Sequence, residues 1–265
     1  MNVFHISKPA NVQLPIVLSV PHAGTYFPAE IQAELKQDKL PPDDIDWHVN
    51  QLYNFADSSG IIMITAQYSR WVIDLNRNPD STPLYNDGRI ITALCPATNF
   101  LGEAIYTDER KQVAMEEVSR RRKLYFDPYH TALQRLLNEV KAQFGSVLLW
   151  DCHSIRRFVP AIHPEPFPDL IIGSADRSSA SDDITDKALN ILGKSNYSIS
   201  HNYPFKGGYI TRHFGKPNKQ QHALQLEMAK PLYLDDSEQV YDSERAEKVR
   251  TLLTETLTAL GNSLL

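Results

Sequence analysis

The sequence predicts an α/β fold: a mostly parallel or mixed central sheet with helices on both faces, in a single domain spanning residues 1–265. Two observations carry that reading. Short, uniformly apolar runs recur along the chain, and stretches of helical amphipathic period lie between several of them. Strands that alternate with helices in this way build a sheet covered on both sides. At 265 residues the chain is long enough for one large core.

The expected strands, in chain order, are 15–20 (PIVLSV), 60–66 (GIIMITA), 71–76 (WVIDLN), 146–151 (SVLLWD), 169–174 (DLIIGS) and 222–228 (HALQLEM). The first helix is expected over 44–58, with Ile45, Val49, Leu52, Tyr53 and Ala56 on one stripe. Residues 103–122 read as a charged helix with an exposed Arg- and Glu-rich face. Another helix is expected over about 128–144. Asp127 suits its cap, Pro128 its first turn and Gly145 its end, and Ala132, Leu133, Leu136, Leu137, Val140 and Phe144 form its stripe. A further helix follows Asp182–Asp183 and stops at Gly193, and a last one runs from near Ser243 to Gly261. Residues 77–102, rich in Asn, Asp, Pro and Thr, read as a loop. Loops of that length are uncommon unless functional, so this one is the candidate lid.

Composition narrows the partners. The chain is 42% hydrophobic and 22% charged, and 27 Lys and Arg against 32 Asp and Glu leave a net charge of −5. No basic excess points to nucleic acid, and no apolar run approaches the ~20 residues of a membrane span. Two cysteines, Cys95 and Cys152, make no disulfide framework. The N-terminus lacks the basic start and apolar core of a signal peptide. A cytoplasmic protein acting on a small molecule is the expectation.

In a sheet of this class ligands bind outside the carboxyl ends of the strands, and four such ends are rich in chemistry. PIVLSVPHAG ends at His22, with Ala23 and Gly24 leaving room beside it. WVIDLNR ends at Asn76 and Arg77. SVLLWDCHS ends at Asp151, His153 and Ser154, and HALQLEMAK near Glu227. Residues two apart on a strand share a face, so Asp151 and His153 point the same way. A lone histidine on an apolar strand is more often a hydrogen-bonded core residue than a ligand. Two at strand ends call for a third, acidic ligand, as in the open sites of zinc hydrolases. DDIDWH offers Asp43, Asp44 and Asp46, of which Asp46 borders the buried stripe, and spacing alone does not choose among them. The ordinary reading of these acids is a favourable interaction with the helix dipole.

Glu227 stands in an otherwise apolar strand, where a lone carboxylate is costly. It is either half of a structural ion pair or a general base raised by burial. Arg70 can pair with Asp74, whereas Arg77 beside Asn76 suits a bidentate grip on a carboxylate. FKGGYITRHFG (205–215) places Gly207–Gly208 before Thr211, Arg212 and His213. It reads as a close approach to a ligand or as an ordinary hairpin with a basic rim. A serine-nucleophile reading fails, because Ser154 and His153 face opposite ways and no G-x-S-x-G elbow exists. No P-loop, G-x-G-x-x-G or C-x-x-C occurs.

SVPHAG, DIDWHV, YSRWVIDLNR, PLY, DPYH, LLWDCHSIR, FKGGYITRHFG and QLEMA occur in this order between about residues 14 and 230. Together they resemble the N-formylglutamate deformylase (amidohydrolase) family. The resemblance implies hydrolysis of N-formyl-L-glutamate, a small dianion, to formate and glutamate in histidine degradation. It also implies a kinship with zinc carboxypeptidase-like and aspartoacylase-like hydrolases and a zinc cofactor. Carried over by position, His22, Asp46 and His153 are the implied metal ligands, with Asp151 beside them. Asn76 and Arg77, with Arg70 and Arg212 as further candidates, are the implied grip on the substrate carboxylates, and Glu227 is the implied base. One departure stands out: Thr25 occupies the position where the carboxypeptidase pattern His-x-x-Glu has its acidic ligand. Two rival readings stay open, a sibling metallohydrolase acting on another N-acyl amino acid or small peptide, and a binding protein that keeps the fold without the chemistry.

Overall fold

The computed structural model describes residues 2–80 and 93–265. Among these, seven strands form one sheet in the order β1-β3-β2-β4-β7-β5-β6. The strands are β1 (Phe4–Ser7), β2 (Ile16–Val20), β3 (Ile62–Ala66), β4 (Val147–Ile155), β5 (Leu170–Gly173), β6 (Ile199–His201) and β7 (Gln221–Ala229). Strands β3, β2, β4 and β7 run parallel, and β5 is parallel to β6. The β1–β3 and β5–β7 pairs are antiparallel, so the sheet is mixed.

The helices are α1 (Ala29–Gln32), α2 (Val49–Leu52), α3 (Met115–Arg121), α4 (Asp127–Phe144), α5 (Asp182–Leu192), α6 (Tyr209–Phe214) and α7 (Ser243–Asn262). They cover both faces. Leu18, Trp150 and Leu224, in register on β2, β4 and β7, bury one face beneath α5 and α7 through Ile184, Ala188, Val249 and Leu253. Their neighbours Val17, Leu149 and Ala223 bury the other beneath α4 and α6. The two faces alternate along each strand because successive side chains of a strand point to opposite sides.

The apolar runs at 15–20, 60–66, 146–151, 169–174 and 222–228 all contain strands. The run at 71–76 does not. Trp71, Val72, Ile73 and Leu75 are buried, but the backbone curls: Val72 N–H bonds to Ser69 O, and Asn76 N–H bonds to Asp74 Oδ1 at 2.9 Å. An aspartate that accepts from the backbone two residues on closes a local turn, which competes with strand formation.

Three helix expectations change as well. The 44–58 stripe is buried as expected, but only Val49–Leu52 is α-helical, followed by a short 3-10 turn at Asn54–Ala56. Asp46 therefore lies in the loop ahead of a four-residue helix, where little dipole acts. In 103–122 only Met115–Arg121 is α-helical, and Arg121 is buried, donating to Val72 O and Tyr106 Oη. A π-helical turn, Arg122–Phe126, runs straight into α4, so Asp127 is not a cap and instead accepts from Arg122 Nε. Pro128, with no N–H to give, sits just after the hydrogen-bond register changes. Gly145, at φ 85°, ends α4 as expected. Gly193 follows α5, and α7 runs one residue past Gly261, whose missing side chain makes room for Leu14. The 205–215 segment forms α6, not a hairpin. Residues 81–92, within the stretch read as a loop and lid and containing PLY, lie outside the described residues.

Candidate metal centre

The chain leaves β2 toward β3 on one side and leaves β4 toward β5 on the other, so a crevice opens between the carboxyl ends of β2 and β4. His22, two residues past β2, and His153, near the end of β4, stand on either side of it, with ring centroids 4.8 Å apart. Asp46 comes in from the loop before α2, held there by a bond from its own N–H to His22 O at 3.1 Å. All three residues are buried.

Both imidazoles turn Nδ1 toward one oxygen of Asp46: His153 Nδ1 is 3.1 Å from Oδ2 and His22 Nδ1 3.7 Å from it. Their outward nitrogens rest on other acids. His22 Nε2 lies 2.8 Å from Asp74 Oδ1, and His153 Nε2 3.1 Å from Asp151 Oδ2. One ligand atom from each of His22, Asp46 and His153 falls within 4.8 Å of the other two, so this group could hold a metal ion. The donors fit a cation for a further reason. A metal-ligating histidine offers one bare nitrogen and donates the other N–H to a carboxylate, which fixes tautomer and ring orientation. Both rings have that second carboxylate in place.

Electrostatics agree with the geometry. Burial opposes the charge on Asp46, but hydrogen bonds from His153 and His22 outweigh it and hold the carboxyl below its usual range. Burial likewise opposes the imidazolium of His153, and Asp151 and Asp46 outweigh it, holding its pKa well above the ordinary histidine value. In the metal-free pocket the His153 imidazolium thus stands as a positive partner of Asp46. Glu227, paired in register with His153 across β4 and β7, differs: burial raises its pKa to about 8. Its Oε2 accepts from Gln225 Nε2 at 3.2 Å.

Comparison with known proteins adds a second line. The family model for N-formylglutamate amidohydrolase matches residues 14–234. The chain belongs to the N-formylglutamate amidohydrolase family. It is 38% identical over 250 residues to the N-formylglutamate deformylase of Pseudomonas putida, covering 94% of this chain and 92% of that one. The corresponding Pseudomonas aeruginosa enzyme is 36% identical, covering 94% and 93%. Among solved structures, the N-formylglutamate amidohydrolase of Ralstonia eutropha JMP134 superposes with a TM-score of 0.84 at 25% identity, covering 100% of this chain and 98% of that one.

In this member of the N-formylglutamate amidohydrolase family, the other sequence-derived candidates occupy distinct places. Arg70 is buried and engaged: Nη2 donates to Asp74 Oδ2 at 2.6 Å, Nη1 to Asp44 O at 3.1 Å, and its guanidinium lies 4.6 Å over the Phe100 ring. That is the Asp74 pair, the alternative to a substrate contact. Asn76 is also engaged at both ends of its amide. Oδ1 accepts from Ile210 N–H at 2.8 Å, while Nδ2 lies 3.4 Å from Asp151 Oδ2 and 3.0 Å from His153 Nε2. Gly208 permits this approach, since a Cβ there would come within 2.3 Å of Asn76 Nδ2. Arg77 keeps a 20% exposed side chain, 3.6 Å from Asp74 Oδ2. Arg212, on α6, directs Nε to Gly207 O and is half-buried.

Two contributors escaped sequence reasoning. Asp74 was visible only as a partner for Arg70, and its contact with His22 depends on the curl at 71–76. Thr211 Oγ1 donates to Asp151 Oδ2 at 3.3 Å, a contact that exists only because α6 docks beneath β4. An acid inside an otherwise apolar run was the one signal available, and it applied to Asp74 as it did to Asp151. Among the described residues no helix is long and apolar enough to cross a membrane.

Proposed function

We infer that the protein hydrolyses N-formyl-L-glutamate to formate and L-glutamate, with a divalent cation held by His22, Asp46 and His153. The observation that carries this reading is the paired geometry of the two histidines. Each turns one nitrogen to a shared carboxylate and anchors the other on a separate acid, in a chain whose relatives are N-formylglutamate deformylases. Two imidazoles and one carboxylate are borderline N and O donors, which suit zinc. A cation there would supply Lewis acidity, which polarises an amide carbonyl and acidifies water near neutral pH.

The chain's own residues do the rest. Glu227, with Oε2 occupied by Gln225, takes a proton from the attacking water on Oε1 and delivers it to the leaving amine. A carboxyl raised to about 8 suits both halves of that exchange, because it gives up and accepts a proton near neutral pH. Asp74 and Asp151 keep the two imidazoles aimed inward. Arg77 and Arg212 grip the carboxylates of the dianion. Asn76 acts on the grip indirectly, by tying the Arg77 segment to α6 and Asp151.

A panel of N-formyl, N-acetyl and N-succinyl amino acids tests the reading. Turnover is expected to favour N-formyl-L-glutamate by more than tenfold. A preference for another acyl group or another amino acid would replace this substrate with that one and make the protein a sibling hydrolase.

A further inference from the structure

The DPYH motif at 127–130 is absent from the chemistry above, yet it places a histidine under the site. His130, on α4, lies flat between two aromatic rings. Phe126, the last residue of the π-helical turn, stacks on it at 4.0 Å and 22°, and Phe214 of α6 lies on it at 5.7 Å and 10°. His130 Nε2 is 2.9 Å from Leu75 O. A carbonyl only accepts, so Nε2 carries the proton and the neutral ring is left with a bare Nδ1. That Nδ1 is buried and has no hydrogen-bond partner among the described residues. Burial also pushes the ring's pKa down to about 4, so it stays neutral near pH 7.

An unpaired buried acceptor is costly, and a phenylalanine would fill the same sandwich without that cost. What phenylalanine lacks is the donor to Leu75 O. That carbonyl sits between the two residues that hold the outward sides of the histidine pair: Asp74, which accepts from His22, and Asn76, which bridges Asp151 and α6. We propose that His130 is a positioning residue: through the Leu75 carbonyl it sets where Asp74 and Asn76 stand, and so where the imidazoles of His22 and His153 point. The π-helical turn serves the same end, since it delivers Phe126 onto the ring, and such turns recur at functional sites. This inference rests on the metal-ligand roles given to His22 and His153.

The test compares His130→Phe, which keeps the stack and loses the donor, with His130→Gln, whose amide reaches a similar distance and can donate. Zinc affinity by competition with a chelating dye, kcat, KM and thermal midpoint are measured for each. His130→Phe is expected to weaken zinc binding about tenfold and lower kcat by a similar factor, with KM within twofold, since partners of metal-ligating histidines are worth roughly 10–100-fold and His130 acts one contact further out. His130→Gln is expected to recover most of both. A folded His130→Phe with zinc affinity and kcat within twofold of the parent would overturn the proposal. If His130→Phe does not fold, His130→Met and His130→Gln decide it: they match in length and only Gln donates, so equal zinc affinities overturn it. A parent that binds zinc but releases no formate contradicts the proposed reaction alone, and the zinc measurement still judges His130. A parent that binds no zinc overturns both.

Discussion

Asp74 Oδ1 holds His22 by its outward nitrogen at 2.8 Å, while Oδ2 of the same carboxylate takes Arg70 at 2.6 Å. One buried acid thus orients an imidazole and is itself fixed by a guanidinium. Burial opposes its charge, but Arg70, Arg77 and His22 outweigh that and hold its pKa well below the carboxylate range. Asp74→Ala is expected to leave Arg70 buried without its acid and to cost about 3–5 kcal/mol in urea denaturation of the metal-free protein. Asp74→Asn, which keeps the shape, should cost less, yet still weaken zinc binding by roughly 10–100-fold. Zinc affinity unchanged in Asp74→Asn would mean that the ring of His22 is oriented by something else.

Glu227 gives two separable outcomes in one variant. Glu227→Gln should retain zinc and lose at least about 10²-fold in kcat, the low end for a positioned general base. In metal-free protein it should also change the pH profile of stability. Burial raises Glu227 from its ordinary 4.5 to about 8, so between those values the unfolded chain has released a proton that the folded chain keeps. The contribution of this group is fully present below about 4.5 and is lost as pH rises through about 8. Glu227→Gln removes that loss, so its thermal midpoint should exceed the parent's at pH 8 and approach it at pH 4. Near-normal turnover in this variant would dismiss Glu227 as the base.

His153 bears a proton near neutrality in the metal-free protein, because Asp151 and Asp46 overcome its burial and raise its pKa. A cation competes with that proton, so zinc affinity should rise with pH and at least about one proton should be released per zinc bound at pH 7. Calorimetry in two buffers of different ionisation enthalpy reads the number directly. Equal heats in both would show that no proton leaves.

Arg77 is the partly exposed guanidinium of the segment that also carries Asp74 and Asn76. Arg77→Met is expected to lower kcat/KM for N-formyl-L-glutamate about 10²-fold, in line with leaving a substrate charge unpaired. N-formyl-L-glutamine separates its two possible partners. A comparable loss on that substrate assigns Arg77 to the α-carboxylate, and a small one assigns it to the γ-carboxylate. Losses below threefold on both would remove Arg77 from the substrate grip.

Much of the scaffold was legible because burial writes itself into period. The stripe Ala132–Leu133–Leu136–Leu137–Val140 specifies α4, and the paired apolar runs specify β2 and β4. Where burial is complete the period disappears, and Trp71–Asn76, enclosed on all sides, read as a strand although it curls. The edge strands β1 and β6 went unread for the opposite reason: FHIS and ISH are short and only partly buried, so no apolar run marks them. At the site, His22, His153 and Glu227 stood out as polar residues at the ends of apolar runs, whereas spacing left Asp46 level with Asp43 and Asp44, and only the family resemblance singled it out. Asp74, Thr211 and His130 act through contacts made only when the curled segment and α6 dock against β4 and α4, and no local spacing encodes such docking.

The most direct measurement is formate release from N-formyl-L-glutamate by the zinc-loaded protein, by the same sample after chelation, and after zinc is restored. The account predicts turnover that is lost on chelation and recovered with zinc. Turnover that persists undiminished in protein shown to be metal-free would contradict the assignment of His22, Asp46 and His153 as a catalytic metal site, and no release from folded, zinc-loaded protein would contradict the substrate.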